Sequence, residues 1–129
     1  MAPYRFIPHT ADIAVELQGG DEAGLRDAGV EALRELLVGE SPVRALEERP
    51  IEPAGADSGE RLVHFLRDVL SLYDSERFVP ARAGTAGVLG ERFDPTRHRP
   101  VREVKAVTYH GAEVRPDAHG LRCTVVFDV

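Results

Sequence analysis

The 129-residue sequence lacks the features that would place it in a membrane, in an oxidising compartment or among disulfide-stabilised proteins. It contains a single cysteine, Cys123, so no disulfide can form within the chain. None of its apolar runs approaches the roughly 18 residues that a membrane-spanning helix needs, and no signal-peptide pattern follows Met1. We therefore expect a cytoplasmic protein with no membrane partner, and we expect Cys123 to be a packed thiol.

Net positive charge is also lacking, because 22 acidic residues outnumber 16 basic ones, and lysine is almost absent. The net charge of −6 argues against a protein that grips a nucleic-acid backbone by itself, and it favours a basic protein surface or a cation as partner. Arginine supplies 15 of the 16 basic residues, and Lys105 is the one lysine. Its compact ammonium suggests a site that the fork of a guanidinium would not suit; the alternative is that one lysine persists by chance.

Several enzyme motifs are missing as well. The sequence has no GxGxxG dinucleotide motif, no GxxxxGK[ST] phosphate loop, no nucleophile-elbow serine and no paired-cysteine zinc pattern. The spaced glycines at 84, 87 and 90 fall in a strand-turn context, where they punctuate the chain and do not predict phosphate binding. These absences leave carboxylates as the most promising chemical groups.

The hydrophobic pattern predicts one α+β domain over residues 1–129. Apolar residues at helical spacing follow two candidate capping residues, which predicts helices from Asp21 to about Val38 and from Asp57 to about Glu76. Alternating or β-branched segments predict strands over 4–9, 10–18, 43–53, 78–93, 101–110 and 121–129, with 43–53 at a sheet edge and a turn inside 78–93. Because helices and strands do not alternate regularly, we expect a mostly antiparallel sheet covered by two amphipathic helices.

The predicted last strand ends on two anionic groups. Its apolar face alternates with a second face that carries Asp128, and Val129, the last residue of the sequence, adds a main-chain carboxylate. Neighbouring anions repel each other unless a cation or hydrogen-bond donors compensate them. This end of the chain is therefore a candidate ligand set.

Asp12 is the natural third member of that set. It lies on the polar face of the strand at 10–18, and aspartate is depleted inside strands. If this strand neighbours the final strand, Asp12 meets Asp128 and the Val129 carboxylate. Ligands that are all oxygens favour Ca²⁺, Mg²⁺ or Mn²⁺, with waters or a partner's group completing a shell of about six to eight oxygens. The alternative is an exposed Asp12 that pairs with a nearby arginine.

Four segments, taken together and in order, resemble the archease family. They are His9-Thr10-Ala11-Asp12-Ile13, Gly90-Glu91, Glu103-Val104-Lys105-Ala106-Val107-Thr108-Tyr109-His110 and Val126-Phe127-Asp128-Val129. The resemblance covers essentially the whole chain and is weakest between residues 39 and 59. It implies that Asp12, Asp128 and Val129 are the metal ligands, and a final Val in place of Ile keeps the carboxylate. We add His9, Lys105 and His110 as candidate functional or partner-contacting residues.

The resemblance also implies an accessory protein and not an enzyme. Archeases are cofactor proteins of the RtcB-type RNA ligase, which joins a 3′-phosphate or 2′,3′-cyclic phosphate end to a 5′-hydroxyl in tRNA splicing and RNA repair. That ligase uses GTP and Mn²⁺ and passes through a guanylylated histidine. Archease promotes the guanylylation, supports multiple turnover and broadens nucleotide use, so RNA would be met only through the ligase.

Two other functions stay open from the residues alone. One is a metal-dependent hydrolase acting by itself, for which His9 is the only candidate base near the carboxylates. The other is a chaperone-like binding module in which a cation has a structural role.

Overall fold

Eight strands and two helices form the regular structure of the described residues, which in this computed structural model are 3–7, 12–108 and 113–129. In chain order they are β1 (Tyr4–Ile7), β2 (Asp12–Gly19), α1 (Glu22–Val38), β3 (Glu47–Pro50), α2 (Ser58–Glu76), β4 (Phe78–Ala83), β5 (Gly87–Arg92), β6 (Ala106–Thr108), β7 (Arg115–Asp117) and β8 (Gly120–Asp128).

The strands form two antiparallel sheets joined by the helices. The larger sheet has the order β1-β2-β8-β6, with β7 also paired to β8, and the smaller sheet has the order β3-β5-β4. Helix α1 packs against β2 of the larger sheet and β4 of the smaller one, and α2 packs against α1, β4 and β6. The predicted α+β class, with antiparallel strands and two helices, is confirmed, whereas one sheet was expected where there are two.

Local sequence signals set both helices. The Asp21 carboxylate accepts a hydrogen bond from the Gly24 N–H at 2.8 Å and caps α1, and Asp57 caps α2 through the Glu60 N–H at 2.9 Å. The apolar stripes predicted for both helices are buried. The helices touch closely at Gly29, where a Cβ would lie 3.0 Å from the Leu66 methyls.

The core lies between the helices and the inner faces of the sheets. Val15 and Leu17 of β2 and Val125 and Phe127 of β8 are fully buried there, as the alternation of the two strands predicts. Cys123 is also buried, as expected, and burial raises the pKa of its thiol to about 11. β3 lies at a sheet edge, also as expected.

The strand predicted over 101–110 is much shorter in the structure. Residues 101–105 are irregular and only Ala106–Thr108 forms a strand, while Tyr109 and His110 lie outside the described residues. The reason is that residues 101 and 105 are held by separate elements. The Val101 N–H donates to the carbonyl of Leu37 in α1, and the Lys105 N–H donates to the carbonyl of Asp128 in β8.

The glycines at 87 and 90 lie within a strand and do not mark a turn between elements, as had been expected. Both lie in β5, the central strand of the smaller sheet. A Cβ at Gly90 would collide with the Val79 carbonyl oxygen, and one at Gly87 would collide with the Arg49 carbonyl oxygen. Glycine is needed here because β3 and β4 approach the β5 backbone closely.

Within the described residues, neither helix combines the length and the hydrophobicity that crossing a bilayer requires.

Candidate functional site

The candidate site lies where β2 begins and β8 ends. The two strands are antiparallel, and Asp12 and Asp128 are direct register partners. Directly opposed residues of an antiparallel pair project from the same face of the sheet. The neighbouring strands assumed from the sequence are therefore real, and their register aligns the two aspartates.

The hydrogen bonding of Asp128 shows whether Asp12 and Asp128 form a hydrogen-bonded or a non-hydrogen-bonded pair of the antiparallel ladder. Its carbonyl accepts the Lys105 N–H at 2.7 Å, so the main-chain groups of Asp128 point toward β6 and away from β2. Asp12 and Asp128 are then a non-hydrogen-bonded pair, the type in which Cα atoms approach to about 4.5 Å and side chains are closest. The two carboxylates thus leave the sheet from the narrowest spacing that an antiparallel pair offers.

Neither carboxylate is neutralised by another described residue. Asp12 and Asp128 are half-buried, and no ion pair or side-chain hydrogen bond within residues 3–7, 12–108 and 113–129 involves either of them. The alternative in which Asp12 pairs with an arginine thus finds no support in that part of the chain. Val129 follows Asp128 directly and is half-buried against the core, which fixes its main chain next to Asp128.

The donor chemistry of these residues fits a hard cation. The two side-chain carboxylates and the main-chain oxygens of Val129 supply only oxygen, which is the ligand type of Ca²⁺, Mg²⁺ and Mn²⁺. The described residues contain no group of three His, Cys, Asp or Glu side chains that could hold a metal. A cation held by Asp12 and Asp128 would therefore need further oxygens, from the main chain of Val129, from water or from a partner.

Lys105 lies next to Asp128. It comes just before β6, which flanks β8 on one side, whereas Asp12 lies in β2 on the other side. The Lys105 N–H binds the Asp128 carbonyl, and its exposed side chain lines a groove of about 540 Å³ between α2 and β6, together with Arg67, Asp74 and Thr108. Arg67 Nε donates to the Val107 carbonyl at 2.8 Å and so covers the open edge of β6. Lys105 forms no ion pair with a described residue and is available to an outside anion.

The two candidate histidines, His9 and His110, both lie outside the described residues.

A second polar cluster, centred on Glu91, was missed by the sequence analysis. Glu91 is only 3% exposed. It accepts the Arg44 N–H at 2.7 Å and Arg44 Nε at 3.2 Å, it binds the Arg97 guanidinium, and it lies 3.1 Å from His98 Nε2. The sequence signal was present, because an acidic residue inside an apolar strand needs donors and an arginine-rich segment follows it.

These donors outweigh the effect of burial on the carboxyl group. Burial raises the pKa of Glu91, but hydrogen bonds from Arg97, Arg44 and His98 favour the ionised form and bring the pKa down to about 2. Glu91 is thus a fully partnered anion, whereas Asp12 and Asp128 are anions that no described cation contacts.

Comparison with known proteins gives a family match over nearly the whole sequence. Residues 4–129 match the model of the Archease protein family (MTH1598/TM1083). The chain belongs to the archease family. The resemblance inferred from its motifs is thereby confirmed, and the match includes the segments that carry Asp12, Lys105 and Asp128.

Individual relatives agree with the family match. The chain is 31% identical to the protein archease of Pyrococcus abyssi over 88% of this chain and 89% of that protein. The solution structure of Methanobacterium thermoautotrophicum protein 1598 superimposes with a TM-score of 0.81 at 26% identity and covers 100% of both chains. The crystal structure of an archease from Thermotoga maritima, described as a possible chaperone, gives a TM-score of 0.62 at 28% identity over 95% of this chain and 94% of that one.

Proposed function

We propose that this archease-family chain is an accessory protein that activates an RtcB-type RNA ligase and is not itself an enzyme. The observation that carries the proposal is the register pairing of Asp12 with Asp128 at the end of β8. It gathers carboxylates at the positions where the family resemblance implies metal ligands. The ligase would be the partner, and RNA would be met through it.

Asp12, Asp128 and the Val129 carboxylate would hold a divalent ion, Ca²⁺, Mg²⁺ or Mn²⁺. Such an ion neutralises and orients phosphate oxygens during nucleotidyl transfer. The half-buried aspartates leave part of the coordination shell for groups that come from the ligase and its nucleotide. Lys105, exposed beside Asp128, would contact an anionic group of the same partner.

The acidic character of the chain suits this role. A net charge of −6 favours association with a basic surface, and the active site of an enzyme that handles RNA ends and GTP is expected to be basic. Association driven in this way weakens with salt.

The direct experiment measures guanylylation of the purified ligase with radiolabelled GTP and Mn²⁺, with and without this protein. The proposal predicts faster label transfer and more ligation rounds per ligase molecule. Asp128→Asn should abolish the stimulation, whereas Glu16→Gln, a carboxylate on the same sheet face that pairs with Arg5 at 3.3 Å, should keep it. Equal labelling with and without the protein would refute the proposal, and phosphoester turnover without ligase would favour the hydrolase.

The Val129 carboxylate can be tested separately. A tag fused after Val129 converts this carboxylate into an amide and removes one anionic donor, so it should impair ligase activation and metal binding. A tag before Met1 should be tolerated better. Equal stimulation by the two tagged proteins would count against Val129 as a ligand.

The name of the Thermotoga maritima relative suggests a second candidate, a chaperone-like module with a structural cation. The two proposals differ for Asp12→Ala. The structural-cation function predicts an unfolded variant, whereas the ligase-activating function predicts a folded protein that no longer stimulates guanylylation. Circular dichroism of this variant, followed by the labelling assay, separates the two.

A further inference from the structure

The Glu91 cluster holds two segments that have no helix or strand structure of their own. Arg44 lies in the irregular stretch between α1 and β3, and Arg97 and His98 lie in residues 93–105, between β5 and β6. All donors to the buried carboxylate come from these two segments. Glu91 itself lies in β5, so the cluster ties both segments to the smaller sheet.

The His98 ring is fixed at both nitrogens. The Asp94 N–H donates to Nδ1 at 2.9 Å, which leaves Nε2 to carry the ring hydrogen and donate it to Glu91. His98 is buried, and its ring centre lies 5.7 Å from that of Phe93. The position at which the chain leaves this turn is therefore fixed by a side chain.

From His98 onward, single contacts guide the chain to the candidate site. The Arg99 N–H donates to Ser41 Oγ at 3.0 Å, and the Val101 N–H donates to the Leu37 carbonyl at 3.0 Å. The buried side chain of Val104 follows, and the Lys105 N–H then reaches the Asp128 carbonyl at 2.7 Å. None of residues 93–105 takes part in a strand pairing, so individual contacts hold this path, and the buried Glu91 cluster holds its beginning.

Stability alone is a weak reason for such a cluster. Buried ion pairs lose much of their attraction to desolvation, and well-packed apolar replacements are often as stable. A buried ionic group is better justified where it fixes a geometry, and long irregular segments in small domains usually serve function. Here the segment that the cluster fixes leads to the one lysine of the chain.

We propose that Glu91 is a positioning residue: by holding Arg97 and His98 it sets the course of residues 93–105 and so holds Lys105 beside Asp128. The importance of this placement for ligase activation rests on the proposed function. The placement itself is a property of the free protein.

The first test measures that placement without any ligase. Amide hydrogen exchange by NMR reports the hydrogen bond from Lys105 to Asp128. In Glu91→Gln, which keeps the size of the side chain but not its charge, the Lys105 amide should exchange about tenfold faster, while the Val125 amide in β8 keeps its protection. The matched control is Glu76→Gln, which removes an exposed carboxylate paired with Arg49 and should leave Lys105 unchanged.

Arg97→Gln repeats the test by removing one of the donors to Glu91. This variant should fold, because the Arg97 side chain is 26% exposed. Unchanged exchange at Lys105 in the folded variants would overturn the proposal. If Glu91→Gln does not fold, exchange at the Lys105 amide in Arg97→Gln alone decides whether the proposal holds.

The second test asks whether Glu91 acts through Lys105. Guanylylation of the ligase is measured with Glu91→Gln, Lys105→Ala and the double variant. We expect each single variant to lower the stimulation about tenfold, and the double variant to lie within about twofold of Lys105→Ala, because coupled residues are not additive. Additive losses would indicate a general structural role and would overturn the proposal. If the wild-type protein gives no stimulation, the proposed function fails, while the exchange experiment still decides the placement of Lys105.

Discussion

Individual carboxylates of this protein lie in two opposite environments, one rich in hydrogen-bond donors and one without a neighbouring cation among the described residues. Glu91 is buried among donors, whereas Asp12 and Asp128 oppose each other and contact no described cation. Like charges that face each other across a strand pair are destabilising. The first arrangement is neutralised by the protein's own donors, and the second is the one at which we propose a bound cation.

This contrast predicts an unusual effect of Asp128→Asn. In metal-free buffer at pH 7 the substitution should raise the free energy of unfolding by about 0.5 kcal/mol, because it removes one of two opposed charges. It should also abolish any stabilisation by added Mn²⁺. Urea unfolding with and without Mn²⁺ measures both effects, and Glu16→Gln is the control. A less stable Asp128→Asn protein in metal-free buffer would contradict this interpretation of the pair.

Glu91 should make the stability of the protein depend on pH in a defined window. Its pKa is about 2 in the folded protein and 4.5 ordinarily, so the folded state favours the ionised carboxylate. The stabilisation is fully present above pH 4.5 and is lost as the pH falls toward 2. The difference in unfolding free energy between the wild type and Glu91→Gln should therefore shrink over this range, as urea unfolding at several pH values would show. A difference that stays constant from pH 6 to pH 2 would show that ionisation of the Glu91 carboxylate is not its source.

Among the secondary-structure elements, local sequence signals were sufficient to predict the helices but not to predict which strands pair. Both helices were predicted because a capping aspartate and an apolar stripe lie within each helical segment. The division of the strands into two sheets depends on partners far away in sequence, which no alternation pattern identifies. Residues 101–105 look like a strand because Val101 and Val104 are apolar, yet one binds α1 through its N–H and the other packs in the core.

The central strand β5 offers a test of its close packing. Gly90→Ala should cost about 1–3 kcal/mol of stability, because the new methyl group meets the Val79 carbonyl and the backbone must shift. Gly20→Ala is the matched control, since a Cβ there has nothing within 4 Å. Thermal unfolding of the two variants is compared with that of the wild type. Equal melting temperatures for the two variants would show that β5 accommodates a side chain at position 90.

At the scale of the whole molecule, the fold brings together residues that are far apart in the sequence. Asp12 and Asp128 meet because β2 and β8 pair along their full length, with register partners from Asp12–Asp128 to Gly19–Leu121. The register matters because a slip by one residue would turn one aspartate to the other face.

The candidate site was predictable from the sequence only in part. Aspartate inside a strand and anionic groups at the end of another were visible, and the family resemblance linked them. The sequence did not show that Asp12 and Asp128 form a non-hydrogen-bonded pair, because this follows from the Lys105 N–H binding the Asp128 carbonyl on the other side of β8. The Glu91 cluster was missed because its donors come from segments that have no regular pattern.

Isothermal titration of Mn²⁺ into the untagged protein measures whether the Asp12–Asp128 pair and the Val129 carboxylate bind a divalent cation, as we propose. We expect one binding site per chain, retained in Glu16→Gln and lost in both Asp12→Asn and Asp128→Asn while these variants stay folded. Equal Mn²⁺ binding by the wild type and the two asparagine variants, or no binding by the wild type, would contradict it.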